Sequence, residues 1–204
     1  MGRLRTQGRQ RREPLHTRNV QEVHMSAADM NTGFFGKIPA SGDFVAANLP
    51  RTFIDRWDRW MSMELRQRPD EGELDSRVWR FVVRAGIFGG QPCAGVWRMS
   101  EDRVGRRYPF AIIGIGSTPT PDDAWFDGVA SIADAAVELQ RTQSWIAESL
   151  AHLAAPSDSH GDPNRIGFWV DDWSVHEFAF SDIHDLAANA LPKMRAPRPE
   201  TEHL

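Results

Sequence analysis

The stretch GFFGKIPASGDF, residues 33–44, puts three glycines, Lys37, Ser41 and Asp43 within twelve positions. That combination can cradle a phosphate, present a nucleophile or turn the chain. A phosphate-binding P-loop needs four residues between its glycines and then Lys with Ser or Thr, so that backbone N–H groups wrap the phosphate and the hydroxyl reaches magnesium. Here two residues separate Gly33 from Gly36, and Ile38 stands where the hydroxyl belongs. The dinucleotide pattern GxGxxG fails as well, because Gly114 and Gly116 run into Thr118-Pro119-Thr120-Pro121, where no helix can begin in register. Ser41 lies between Ala40 and Gly42 and so lacks the flanking glycines of the GxSxG elbow. Ser41, Gly42 and Asp43 are therefore read as turn chemistry, with Asp43 capping the short segment after it. A small hydrolase or phosphatase-like enzyme using Ser41, Asp43 and a distant histidine is the alternative from another class.

A second charged group lies in SEDRVGRR, residues 100–107. Asp102 beside Arg103, Arg106 and Arg107 predicts a local ion pair, and Gly105 is free to take the positive φ that a hairpin turn requires. The same guanidinium groups on a rigid hairpin also suit a partner's carboxylate or phosphate, and the spacing does not choose between the two roles. His152, His160, His176 and His184 form neither HExxH nor another pairing that fixes two imidazoles on a metal. Asp158, His160 and Asp162 share one polar loop that is read as solvated. No catalytic residue, metal or cofactor is assigned.

Periodicity gives the elements that carry these residues. Residues 33–38 read as a strand and 39–43 as a turn. Ile54, Trp57, Met61 and Leu65 then recur at helical spacing from a Thr52/Asp55 capping pair to about Arg68. Residues 78–84, 93–99 and 108–115 read as strands whose connections are too short for parallel crossovers, which predicts an antiparallel meander. Residues 125–154 carry helical stripes, as one broken helix or two. Residues 165–170 and 175–180 form a second hairpin, and a last helix starts at Ser181 and stops before Pro192. The expected fold is α+β: one mainly antiparallel sheet with helices packed on it, an α/β sandwich. Trp57 is placed in the core, while Trp60, Trp125 and Trp173 fall near element edges, with core or rim packing expected for each.

Of 204 residues, 41% are hydrophobic, with eight Trp and eleven Phe, enough for the core of one domain. Cys93 stands alone, so neither an intramolecular disulfide nor a Cys-based zinc site can form, and a reducing compartment is expected. The longest apolar run, residues 110–115, is far short of the roughly 20 residues of a spanning helix. Residues 1–24 carry six Arg and two Glu, net +4, against −4 for the whole chain. Residues 1–30 are read as a disordered basic leader, with Met25 and Met30 as alternative starts, residues 31–194 as one domain and 195–204 as a disordered tail. No nucleic-acid partner and no membrane insertion are assigned.

Two blocks carry a family resemblance. GFFGKIPASGDFVAANLPRTFIDRWDRWM resembles the opening of the TagF family, also called ImpM, whose pattern is approximately GxxGKxPxxGDFxxxxLPxxFxxxWDxWL. VWRFVV followed by AGVWRMSEDRVGRRYPF is similar to that family's xWRFxL and AGVxxPSxDxVGRxFPL, with Met99 in place of a proline. The resemblance implies a cytoplasmic accessory protein of bacterial type VI secretion, acting as a non-enzymatic post-translational repressor of apparatus assembly. It further implies binding to a secretion component such as the forkhead-associated scaffold protein. The expected contact surfaces are Lys37, Ser41, Gly42 and Asp43 on the first loop, and Asp102, Arg103, Gly105 and Arg106 on the hairpin.

Overall fold

The computed structural model describes residues 30–66, 77–157, 161–162, 164–170 and 176–177. The leader, the tail, Trp173 and the helix expected from Ser181 lie outside the described residues. The elements in chain order are β1 (Asn31–Gly36), β2 (Val45–Ala47), α1 (Arg51–Arg66), β3 (Trp79–Val83), β4 (Cys93–Arg98), β5 (Phe110–Ile115), α2 (Ala124–Glu138), α3 (Gln143–Ala151), β6 (Ile166–Trp169) and β7 (His176–Glu177).

The strands form one sheet in the order β2-β1-β5-β4-β3-β6-β7, with antiparallel pairing throughout. Strands β3, β4 and β5 make the expected meander, and β6 with β7 makes the second hairpin. β1 joins the far side of β5, from Asn31 opposite Ile115 to Gly36 opposite Phe110. This register brings the loop after β1 beside the hairpin that leads into β5. Gly36 permits the approach: its φ is +138°, and a Cβ there would lie 2.0 Å from the Pro109 carbonyl oxygen.

Every residue of β3, β4 and β5 is buried, where an antiparallel sheet with one wet face would alternate. The reason is that helices cover both faces. Phe35, Trp79, Phe81, Val83, Trp97 and Ile113 point to the side of α1, where they join Phe53, Ile54, Trp57, Trp60 and Met61. Phe34, Val82, Val96, Phe110, Ile112 and Trp169 point the other way, toward Trp125, Phe126, Val129, Ala133 and Ala136 of α2 and Ile146 of α3. Each fully buried large apolar side chain contributes roughly 1.5–3 kcal/mol relative to exposure. Trp60 and Trp125, expected near element edges, are core residues at 3% and 4% exposure. The indole N–H groups of Trp57, Trp60, Trp79, Trp97 and Trp169 are buried without an acceptor, so these residues contribute apolar area at the cost of one unpaired donor each.

Local chemistry sets the element ends. α1 begins at Arg51, with the Pro50 carbonyl accepting from Phe53 N and Ile54 N at 3.0 and 3.1 Å. Thr52 therefore lies in the first turn and does not act as the cap expected from the sequence. Asn48 turns the chain at φ +57°, and Pro50 has no N–H to satisfy, so the helix starts two residues earlier than a Thr52 cap would place it. The helical region 125–154 is two helices, and Thr142 caps the second by accepting from Trp145 N. Asp123 caps α2 through Trp125 N, while its other oxygen accepts from the N–H and hydroxyl of Ser157. On this face the buried Arg80 pairs with Asp127 at 2.9 Å, and the buried Arg98 with Asp134 and Glu138 of α2. These arginines bury their stems against the sheet and meet partly exposed carboxylates.

Candidate interaction site

Asp102 organises the site. Its side chain is fully buried, and Oδ1 accepts the backbone N–H of Val104 (3.0 Å) and of Arg106 (2.9 Å). Oδ2 accepts Lys37 Nζ (2.9 Å) and Arg106 Nε (2.7 Å). Burial alone would push this carboxyl up. The donors from the Arg106 backbone, Lys37, the Arg106 side chain and Val104 outweigh burial and hold it well below the usual carboxylate range. The hairpin is thus wound around one carboxylate, with Gly105 at φ +81° closing the turn and donating to the Asp102 carbonyl. The ion pair and turn expected from Asp102 and Gly105 are both present.

The same carboxylate ties the hairpin to the first loop. Lys37 leaves β1 beside Gly36 and is 6% exposed. Arg103 N donates to the Ser41 carbonyl at 2.8 Å, and Arg106 Nη2 donates to the Gly42 carbonyl at 2.7 Å. Within the loop, Ser41 Oγ accepts Asp43 N at 3.3 Å and Asp43 Oδ1 accepts Phe44 N at 2.8 Å. Asp43 therefore caps the approach to β2, a strand too short to stand apart from the loop by sequence pattern. The imidazole of His152 meets the Glu148 carbonyl on its own helix, α3, at 2.8 Å.

An aromatic bracket supports the platform. Phe44 stacks on Phe35 at 5.4 Å and meets Tyr108 edge-on at 4.8 Å, with Lys37 Nζ 5.2 Å from its ring centroid. Tyr108 Oη donates to Asp58 of α1 at 2.7 Å. Burial first, then the Asp58 hydrogen bond and charge, push the phenol well above its ordinary range.

Lys37, Ser41, Gly42, Asp102, Arg103 and Arg106 are thus brought together from two segments some 60 positions apart. Lys37 and Asp102 are buried and hold the loops, Ser41 and Gly42 are half-buried, and Asp43, Arg103, Gly105 and Arg106 face solvent. Sequence reasoning missed Phe44, Val104, Asp58 and Tyr108. Two signals pointed to them: the aromatic beside Asp43 and the position of the chain's single tyrosine at the hairpin's exit.

Elsewhere, a cleft of about 380 Å³ beside the start of α2 is lined by Thr120, Asp122, Asp123, Trp125, Leu153 and Ser157 among others. Its Asp123 caps α2 with one oxygen and accepts from Ser157 with the other. Among the described residues no three His, Cys, Asp or Glu gather in a metal-binding group. Asp162 caps the turn at Asn164, and Asp158 and His160 lie outside the described residues. Cys93 is buried, and burial pushes its thiol far up. No helix among the described residues is long and apolar enough to cross a membrane.

Comparison with known proteins bears on both loops. The family described as the TagF N-terminal domain, type VI secretion system-associated, matches residues 33–153. The crystal structure of PA0076 from Pseudomonas aeruginosa PAO1 is similar, with a TM-score of 0.55 and 34% sequence identity over 62% of this chain and 64% of that one. The chain thus spans a little under two thirds of that protein's length. No curated protein matches the chain.

Proposed function

This chain belongs to the TagF family, type VI secretion system-associated, through residues 33–153, and from that membership we propose that it represses type VI apparatus assembly after translation by binding a secretion component in the cytoplasm. The forkhead-associated scaffold protein is the first partner to test. The observation that carries the reading is the union of residues 37–44 and 101–107, the charged loops of the two family-like blocks, in one braced and partly exposed platform. Its buried charges are spent on holding backbone, and Ser41 and Asp43 serve their own loop. Such a surface recognises another macromolecule without making or breaking a bond.

The test is secretion of the apparatus tube protein in a bacterium that carries this gene. Deletion should raise tube protein in the medium, and overproduction should lower it at constant cellular level. Pulldown with the forkhead-associated scaffold should lose capture in the Asp43→Ala/Arg106→Ala double variant, with circular dichroism confirming the fold. Unchanged export on both deletion and overproduction would refute repression.

A further inference from the structure

The platform carries an imbalance of charge that describes what it would hold. Two cations, Lys37 and Arg106, donate to the single Asp102 carboxylate. Lys37 is buried, so the surplus positive charge is presented outward by Arg106, whose side chain is 58% exposed. Arg103 lies beside it: a Cβ on Gly42 would meet its Nη2 at 3.2 Å, which sets the guanidinium over that glycine. The Arg103 guanidinium is exposed and forms no hydrogen bond or ion pair with any described residue, so its donors are open. Arg106 is anchored at Nε by Asp102 and at Nη2 by the Gly42 carbonyl, so its orientation is fixed before anything binds.

Apolar surface adjoins these cations. Phe44 and Val104 are two of the four exposed large hydrophobic residues among those described, at 43% and 68% exposure. One follows Asp43 on the first loop and the other follows Arg103 on the hairpin. Asp43 is the acidic residue facing solvent on the first loop, and it repels a partner whose acidic groups are out of register. Cationic forks next to exposed apolar side chains, on a chain whose net charge is −4, complement a segment in which acidic and apolar residues alternate.

Resting on the binding role proposed above, we infer that the platform docks an acidic protein segment. Asp or Glu carboxylates of that segment engage Arg103 and Arg106, and an apolar neighbour covers Phe44 and Val104. Carboxylates suit the site because Arg103 offers a planar donor pair and Arg106 adds the donors that Asp102 and the Gly42 carbonyl leave open, and the contact requires no covalent step.

The experiment titrates the full chain calorimetrically with three short synthetic peptides: alternating Glu and Leu, alternating Gln and Leu, and alternating phosphoserine and Leu. Binding of the Glu peptide, weakened by at least about tenfold in Arg103→Glu and further weakened by salt, is the expected result. Asp43→Asn should tighten it by about twofold to threefold through loss of a like charge. Binding of the Gln peptide with equal affinity, binding of the phosphoserine peptide alone, no binding of the Glu peptide, or an unaffected Arg103→Glu would each overturn the inference. Arg103 makes no side-chain contact that the fold needs, so a folding defect does not obscure the result. Wild type and Arg103→Glu are also compared in the export assay. Equal repression by both, with no Glu-peptide binding, sinks this inference and leaves the secretion role standing. No effect of either on export, with the Glu peptide bound, does the reverse.

Discussion

Replacing Lys37 by Met removes one partner of the buried pair while keeping the length and apolar character of the stem. The Lys37 side chain is 8% exposed and that of Asp102 is fully buried, so the pair sits away from screening solvent. Deleting one member of a buried pair typically costs about 3–5 kcal/mol, because the other charge is left uncompensated. Here Asp102 keeps Arg106 Nε at 2.7 Å and two backbone N–H groups at 2.9 and 3.0 Å. The remaining carboxylate is therefore partly satisfied, and the expected loss for Lys37→Met is about 2–3 kcal/mol. For a chain of this size that lowers Tm by about 4–12 °C. Urea unfolding followed by tryptophan fluorescence measures it, with the slope unchanged if the native state stays intact. Asp102→Asn should be worse, since it strands a buried ammonium whose remaining contact is the Phe44 ring. Adding Lys37→Met to Asp102→Asn should then restore stability relative to Asp102→Asn alone. A loss for Lys37→Met below about 0.5 kcal/mol, the range of ordinary surface substitutions, would refute the reasoning.

The same contacts set further outcomes. The folded pKa of Asp102 lies below its ordinary 3.8, so its stabilisation is complete above that value and is lost as pH falls through and below it. Acid unfolding between about pH 5 and pH 2 should therefore be shallower in Asp102→Asn than in the wild type, read by fluorescence. Gly36→Ala should abolish soluble expression, because a Cβ there would meet the Pro109 carbonyl oxygen at 2.0 Å in a backbone conformation that disfavours side chains. Tyr108→Phe should cost about 1.5–3 kcal/mol through loss of a hydrogen bond to a charged group, the half-buried Asp58 keeping the longer bond from Ser62 Oγ at 3.4 Å. As the single tyrosine, Tyr108 should show tyrosinate absorbance only when alkali unfolds the chain. Cys93 should resist thiol reagents until denaturant is added.

The meander was legible because connections of under a dozen residues leave antiparallel neighbours as the simplest choice, and β3, β4 and β5 obey it. The apolar stripe Ile54, Trp57, Met61 located α1, and the helical stripes of residues 125–154 allowed for one broken helix or two, of which the structure has two. What the chain order concealed was the partner of β1. Pairing β1 with β5 skips the strands and helix between them, a non-local choice that no spacing encodes. The site depended on that choice. The charges at residues 37, 102 and 106 were visible, but which were buried was decided by the tertiary approach of two loops. For Trp60 and Trp125 the sequence left core and rim packing both open, and the core is the outcome because an element edge in sequence is interior when helices cover both faces of the sheet.

Two kinds of residue therefore coexist on the platform, and measurement can separate them. Lys37 and Asp102 act in a desolvated space, where added salt screens little and a substitution is felt as lost stability. In the proposed binding role Arg103 and Asp43 act in solvent, where substitution should leave the melt unchanged and alter association and its salt dependence. The braced loops connect the two classes, because the buried pair holds the open guanidinium groups in one geometry and spares a partner the ordering cost. A variant that lowers Tm and binding together has broken the brace, whereas one that lowers binding alone has touched the recognised surface. If Arg103→Glu melted several degrees below the wild type, the division between brace and surface would be wrong, and Arg103 would have to be counted with Lys37.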